Sequence, residues 1–117
     1  MEHWKMVKKA LCYAQGTKDY MLIYRRSESL EIKGYSDADF AGDRDDRKST
    51  SGYVFTLAGG AISWKSSKQS IVAPSTMYAE FIACFEATGQ AIWLKKFIPD
   101  LKVVDCIHKP LKMYCDN

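Results

Sequence analysis

Residues 75–98 form the stretch that most constrains the fold, because the run is too long and too apolar to be a strand. The spacing predicts a long helix. Ser75 or Thr76 can cap its start. Pro99 is expected to end it, since the residue before a proline is pushed out of the helical region. The first two turns are nearly all apolar, which predicts packing on more than one side. Gly89 weakens the middle by about 1 kcal/mol relative to alanine. Short β-prone runs stand before and after this helix. Strand, long helix, strand is a crossover unit, which implies parallel pairing and a right-handed connection. The expected architecture is therefore α/β, a mixed sheet with a long crossover helix.

The rest of the chain supplies the other elements. Residues 2–15 read as a helix, with Trp4, Val7, Leu11 and Ala14 at helical spacing, Lys5, Lys8 and Lys9 on the other face, and Gly16 as a stop. Residues 20–25 are β-prone and are assigned a strand, followed by a polar turn at 26–29. The next strand is 31–37, with Leu30, Ile32 and Gly34 on one side and Glu31, Lys33, Tyr35 and Asp37 on the other. Residues 40–51 read as loop. The runs 52–58 and 61–66 flank Gly59-Gly60, a hairpin signal because glycine supplies the positive φ that such turns need. Ile62 and Trp64 are expected on one face of the second hairpin strand. Residues 100–110 form a connection, and 111–116 the last strand.

A chain of 117 residues is one domain by default, with little margin for its core. Its net charge of +3 permits nucleic-acid binding without arguing for it. Cys12, Cys84, Cys106 and Cys115 show no CxxC spacing, which argues against zinc. Cys84 and Cys115 lie in apolar runs and read as small core hydrophobes, and Cys106 with His108 reads as an incidental loop pair. The N-terminus lacks the continuous apolar core of a signal peptide. No run approaches the roughly 18 apolar residues that cross a bilayer. The expected setting is reducing, cytoplasmic or nuclear, without secretion or membrane attachment.

The chemistry-bearing residues are acidic. Asp37 and Asp39 stand on one side of a pleat, Glu80 is the only charged residue from Ile71 to Phe85, and Asp116 ends the last apolar run. A carboxylate in an apolar helix is costly unless it meets a cation, a hydrogen-bond network or a metal. Emergence of that helix face into solvent explains Glu80 equally well. Ligand sites in crossover sheets lie beyond the carboxyl ends of the strands. If the strands bearing Asp37 and Asp116 are neighbours, their carboxylates converge there, and the first turns of the long helix can bring Glu80 to them. Such clusters suit Mg²⁺ or Mn²⁺, hard cations that prefer oxygen. The loop acids Asp43, Asp45 and Asp46 do not match an EF-hand, because the glycine and terminal glutamate are missing from their positions. Lys65, Ser67, Lys68 and Gln69 read either as a contact to a nucleic-acid backbone or as a plain polar turn.

The motifs SDADFAGDRDDRKSTSGYVF, AISWKSSKQ, VAPSTMYAEFIACFEAT, AIWLKKF and YCDN occur in this order, and together with HWKMVKKALCYAQGT at the start they span nearly the whole chain. In them the chain resembles the ribonuclease H domain of copia-type LTR-retrotransposon Pol polyproteins. The resemblance implies an RNase H-like fold, incomplete at the C-terminus, over residues 30–117. Residues 1–29 would then be a helix and strand from the junction with the reverse-transcriptase portion of the polyprotein, which is an implied partner. It also implies cleavage of the RNA strand of an RNA–DNA hybrid by a two-metal mechanism, in a cytoplasmic retroelement particle or the nucleus. Asp37, Glu80 and Asp116 fill the first three acidic places of the family. They would hold Mg²⁺ or Mn²⁺, two ions roughly 3.5–4 Å apart. Asp39 is read as a supporting neighbour. The fourth acidic place lies beyond YCDN, so weak or absent activity is expected of this chain. The alternative is a non-catalytic remnant that binds nucleic acid or protein. Tyr78 stands where relatives carry Glu, and Phe40 where they carry Trp.

Overall fold

The computed structural model describes residues 1–26, 30–101 and 110–116. Helix α1 is Glu2–Thr17, and strands β1 Lys33–Asp39, β2 Thr50–Leu57 and β3 Gly60–Lys68 follow it. Helix α2, Thr76–Asp100, then leads to strand β4, Lys112–Cys115. The sheet order is β3-β2-β1-β4. β2 is antiparallel to both of its neighbours, and β4 runs parallel to β1. The fold is mixed α/β and compatible with an RNase H-like architecture, as the sequence implied. Helix α2 carries the chain from the β3 edge to the β4 edge, so the crossover's parallel partner is β1, not the strand that precedes the helix.

One face of α2 is built of alanine. Ala79, Ala83, Ala87 and Ala91 recur every four residues, and with Leu94 and Ile98 they form the buried stripe. Small side chains let the helix lie close against the sheet. Ile32 and Phe55 complete the buried cluster, with Tyr53, Leu57, Ile62, Leu111 and Met113 packed against it. Gly34 belongs to this contact, because a Cβ there would collide with the Met113 sulfur and the Phe55 ring.

The expected packing of α2 on several sides is corrected. Met77, Phe81, Phe85, Ile92, Trp93 and Phe97 are exposed, and Trp93 stacks on Phe97 at 4.4 Å between ring centroids. Apolarity all round the helix records hydrophobic content, whereas burial follows the one face the sheet can cover. Ser75 caps the helix as expected, accepting a hydrogen bond from the Tyr78 N–H at 3.2 Å. Pro99 lies inside the last turn and does not end it.

The hairpin turn is Ala58-Gly59, one residue earlier than the two glycines indicated. Both residues have positive φ, 54° and 81°, the requirement of a type I′ turn. Gly60 begins β3, where a Cβ would strike the Tyr24 ring and the Ile23 carbonyl. Those contacts locate residues 20–25, which form no strand. This segment crosses the hairpin and is held by the Arg25 N–H on Ala58 O at 2.7 Å and the Tyr24 hydroxyl on Ala61 O at 2.6 Å. A single backbone bond is not a ladder.

A bulge interrupts the pairing of β2 with β3. Phe55 faces Ser63 and Thr56 faces Ala61, so Ile62 is the extra residue. It turns Ile62 toward the core while Trp64 remains 61 % exposed, and the expectation that both share a face fails for that reason. Helix α1 buries no residue and packs against none of the other described elements. Its Trp4, Val7 and Leu11 stripe faces solvent, with the Lys8 ammonium 5.4 Å from the Trp4 ring centroid.

Candidate carboxylate site

β1 pairs with β2 along its whole length but with β4 only as far as Ser36, opposite Cys115. Asp37 and Asp116 are therefore the next residues on two adjacent parallel strands. β4 ends there, and the β4 side of β1 is left without a strand partner. Glu80, from the second turn of α2, approaches at that point. The Ala38 N–H is shared between Glu80 Oε1 at 3.3 Å and Asp37 Oδ1 at 2.8 Å. A carboxylate from the helix thus takes up a backbone donor just past the end of the β4 pairing. Asp39, on the same face of β1 as Asp37, is exposed.

Burial raises the Glu80 carboxyl above its ordinary value, and the negative charges of Asp37 and Asp116 and a hydrogen bond with Asp37 push in the same direction. The Ala38 N–H pulls the other way. The second oxygen, Oε2, is buried without a hydrogen-bond partner. Asp37 and Asp116 thus act on Glu80 at one end of the sheet, with one Glu80 oxygen left over. Among the described residues no group of three His, Cys, Asp or Glu side chains is drawn tightly enough to form a ready-made metal cage. The donor set is all oxygen, which fits a hard divalent cation and not a thiophilic one.

The second group of sequence-derived site residues lies on or just after β3, separated from β1 by β2. Lys65 is exposed and Ser67 is half-buried. Lys68 is ion-paired with Asp43 and, at 3.1 Å, with Asp46, tying down the loop after β1. Gln69 is buried, and its amide Nε2 donates to Ser51 Oγ and to Ala79 O, each at 2.9 Å. It joins β2 to the first turn of α2 at Ala79, the residue before Glu80. Cys106 and His108 lie outside the described residues.

A thiol cluster adjoins the carboxylates and was not legible as one. Cys115 Sγ lies 2.9 Å from Cys84 Sγ and accepts from Ser36 Oγ at 3.1 Å. Cys115 is exposed and Cys84 partly so, which corrects their reading as core hydrophobes. The hydrogen bond with Cys115 and burial push the Cys84 thiol up. The available signal was positional: Cys84 is four residues after Glu80 on the helix, and Cys115 directly precedes Asp116.

The geometry defines a class, a mixed α/β domain with acids gathered at the carboxyl ends of two parallel strands. Comparison with known proteins narrows it. The chain is 47 % identical over 116 residues to the retrovirus-related Pol polyprotein from transposon TNT 1-94 of Nicotiana tabacum, which covers 99 % of this chain and 8 % of that polyprotein. It is 36 % identical over 116 residues to the corresponding polyprotein from transposon RE2 of Arabidopsis thaliana, again 99 % of this chain and 8 % of the relative. It is also 49 % identical over 92 residues to the secreted RxLR effector protein 161 of Plasmopara viticola, 79 % of this chain and 65 % of that protein. Its homologues thus include copia-type retrotransposon Pol polyproteins, which points to a retroelement origin, and the chain spans less than a tenth of their length. No protein-family model and no solved structure matches the chain.

Proposed function

We propose that this chain is the ribonuclease H-type endonuclease portion of a retrotransposon Pol polyprotein, acting on the RNA strand of an RNA–DNA hybrid. The observation that carries the reading is Glu80, brought by α2 against Asp37 and within the electrostatic reach of Asp116, with one buried oxygen unpartnered. A carboxyl raised in this way by neighbouring acids favours a cation. Asp37, Glu80 and Asp116 would hold Mg²⁺ or Mn²⁺, which when bound supplies Lewis acidity and charge neutralisation at the phosphodiester.

The chain's own residues prepare that site. The Ala38 N–H fixes one oxygen of Asp37 and one of Glu80, leaving Glu80 Oε2 free to accept. Gln69 holds the first turn of α2 to the sheet and so sets the height at which Glu80 arrives. A proton and a cation compete for the raised Glu80 carboxyl, so cation binding strengthens with rising pH. The exposed α1 stripe is a surface on which the reverse-transcriptase portion of such a polyprotein would dock.

The test is incubation of the purified chain with a labelled RNA–DNA hybrid in Mg²⁺ or Mn²⁺. The expected result is weak cleavage of the RNA strand, abolished by Asp37→Asn. A folded chain that leaves the hybrid intact with both cations would discard the hydrolytic reading.

A second reading, a non-catalytic retroelement remnant that binds nucleic acid or protein, is favoured by one relative. The Plasmopara viticola protein shares nearly half its aligned residues with this chain yet carries the name of an effector and not of a polyprotein. Hybrid binding that survives Asp37→Asn, without cleavage, would select this reading.

A further inference from the structure

We propose that Cys84 and Cys115 are an oxidation site, forming a reversible intramolecular disulfide that ties the end of β4 to α2. The inference is independent of the hydrolytic reading. The two sulfurs are 2.9 Å apart across the junction of β4 and α2, and bonding requires closure to about 2.05 Å. Ser36 Oγ donates to Cys115 Sγ at 3.1 Å from the adjacent strand, which holds that sulfur toward the helix. Cys115 is exposed and Cys84 partly exposed, so an oxidant from solvent reaches the pair through Cys115. Cys12 lies on α1, a helix that packs against no other described element, and is not a competing partner for either thiol.

A hydroperoxide such as hydrogen peroxide is a sufficient oxidant. The Cys115 sulfur attacks a peroxide oxygen, the S–O bond forms as the O–O bond breaks, and the thiol proton leaves with the departing hydroxide as water. The Cys84 sulfur then attacks the sulfenic sulfur of Cys115. The S–S bond forms, the S–O bond breaks, and the Cys84 proton leaves in a second water. The two thiols lose two electrons and the peroxide gains them. A small dithiol reverses the change by exchange, becoming a disulfide itself. The cross-link would sit one residue before Asp116 and one helical turn after Glu80, so the oxidised chain would have its carboxylates locked to a single spacing.

The test is mild peroxide treatment of the full chain, blocking of remaining thiols with an alkylating agent, and peptide mapping by mass spectrometry without reductant. The expected result is a linked pair of peptides containing Cys84 and Cys115, two hydrogens lighter than their sum and released by dithiothreitol. Alkylation of the two cysteines should fall together and before that of Cys12. In Cys84→Ser the linked species should vanish while a sulfenic acid on Cys115 becomes trappable by a cyclic dione. Independent alkylation of the two thiols in a chain that retains its far-ultraviolet spectrum would overturn the proposal. So would linkage found only between separate copies, or pairing of either thiol with Cys12 or Cys106.

Discussion

Glu80 keeps its proton more tightly in the folded chain than in the unfolded one, and the sign of that shift fixes how it acts on stability. Burial and the neighbouring Asp37 and Asp116 charges raise its carboxyl above the ordinary value of 4.5. Below that value Glu80 is protonated in both states and its contribution is fully present. As pH rises through the higher folded value, the folded chain loses a proton it held more firmly, and the contribution is lost. Glu80→Gln removes the charge and offers an amide donor to Asp37. In chelator-treated buffer at neutral pH the variant should be more stable than the parent by about 1 kcal/mol, the scale of one hydrogen bond. Thermal melts at neutral and acid pH check this: the difference should disappear in acid, and a parent as stable as the variant at neutral pH would refute it. Asp43 has the opposite sign. Its hydrogen bond with Lys68 holds the carboxyl below the ordinary range, so its contribution is lost as pH falls. A cost at Glu80 was legible in the sequence, since a lone acid stands among apolar residues there. Its partner, the Ala38 N–H, was not, because a backbone donor leaves no mark on residue identity.

At the scale of elements, the hairpin shows where legibility stops. Two glycines between apolar runs announced a tight turn, yet the turn residues are Ala58 and Gly59, and Gly60 is kept small by the segment crossing over it. Only contacts distant in sequence distinguish these uses of glycine. The bulge at Ile62 was illegible for the same reason, since it is a property of the pair of strands. Ala58 adopts a left-handed conformation that disfavours a Cβ-bearing residue, whereas asparagine tolerates it. Ala58→Asn should therefore stabilise the chain by about 1 kcal/mol, read as a shift in the urea midpoint at unchanged slope. Loss of stability would argue against the assigned turn. Helix α2 was legible in its existence, its start and its N-cap. Its buried face was less so, because four alanines spaced along it carry a weaker hydrophobic signal than the aromatic residues they leave in solvent.

For the molecule as a whole, the neighbouring parallel strands that lead to Asp37 and Asp116 were foreseeable, and β1 and β4 are such a pair. The thiol contact beside them was hidden, because it depends on where α2 crosses β4. If the acids bind a cation, the gain must appear in global stability. A ligand that binds only the folded chain, present at 100 times its Kd, adds about 2.7 kcal/mol. Melting temperature should therefore climb with Mn²⁺ concentration in the parent and stay level in Asp37→Asn. Parallel responses in the two chains would place the ion elsewhere.

The pairing of β1 and β4 has one more consequence. β1 is central and hydrogen-bonded on both sides, whereas β4 is a four-residue edge strand with a single neighbour. Asp37, paired with Gly52 of β2 directly after the doubly bonded stretch of β1, is therefore held more firmly than Asp116, which follows a strand that can fray while the rest stays intact. Amide protons of Tyr114 and Cys115 would then trade with solvent deuterium well before those of Tyr35 and Ser36. The gathering of the three acids would be an event that comes and goes within a folded molecule, governed by its shortest strand.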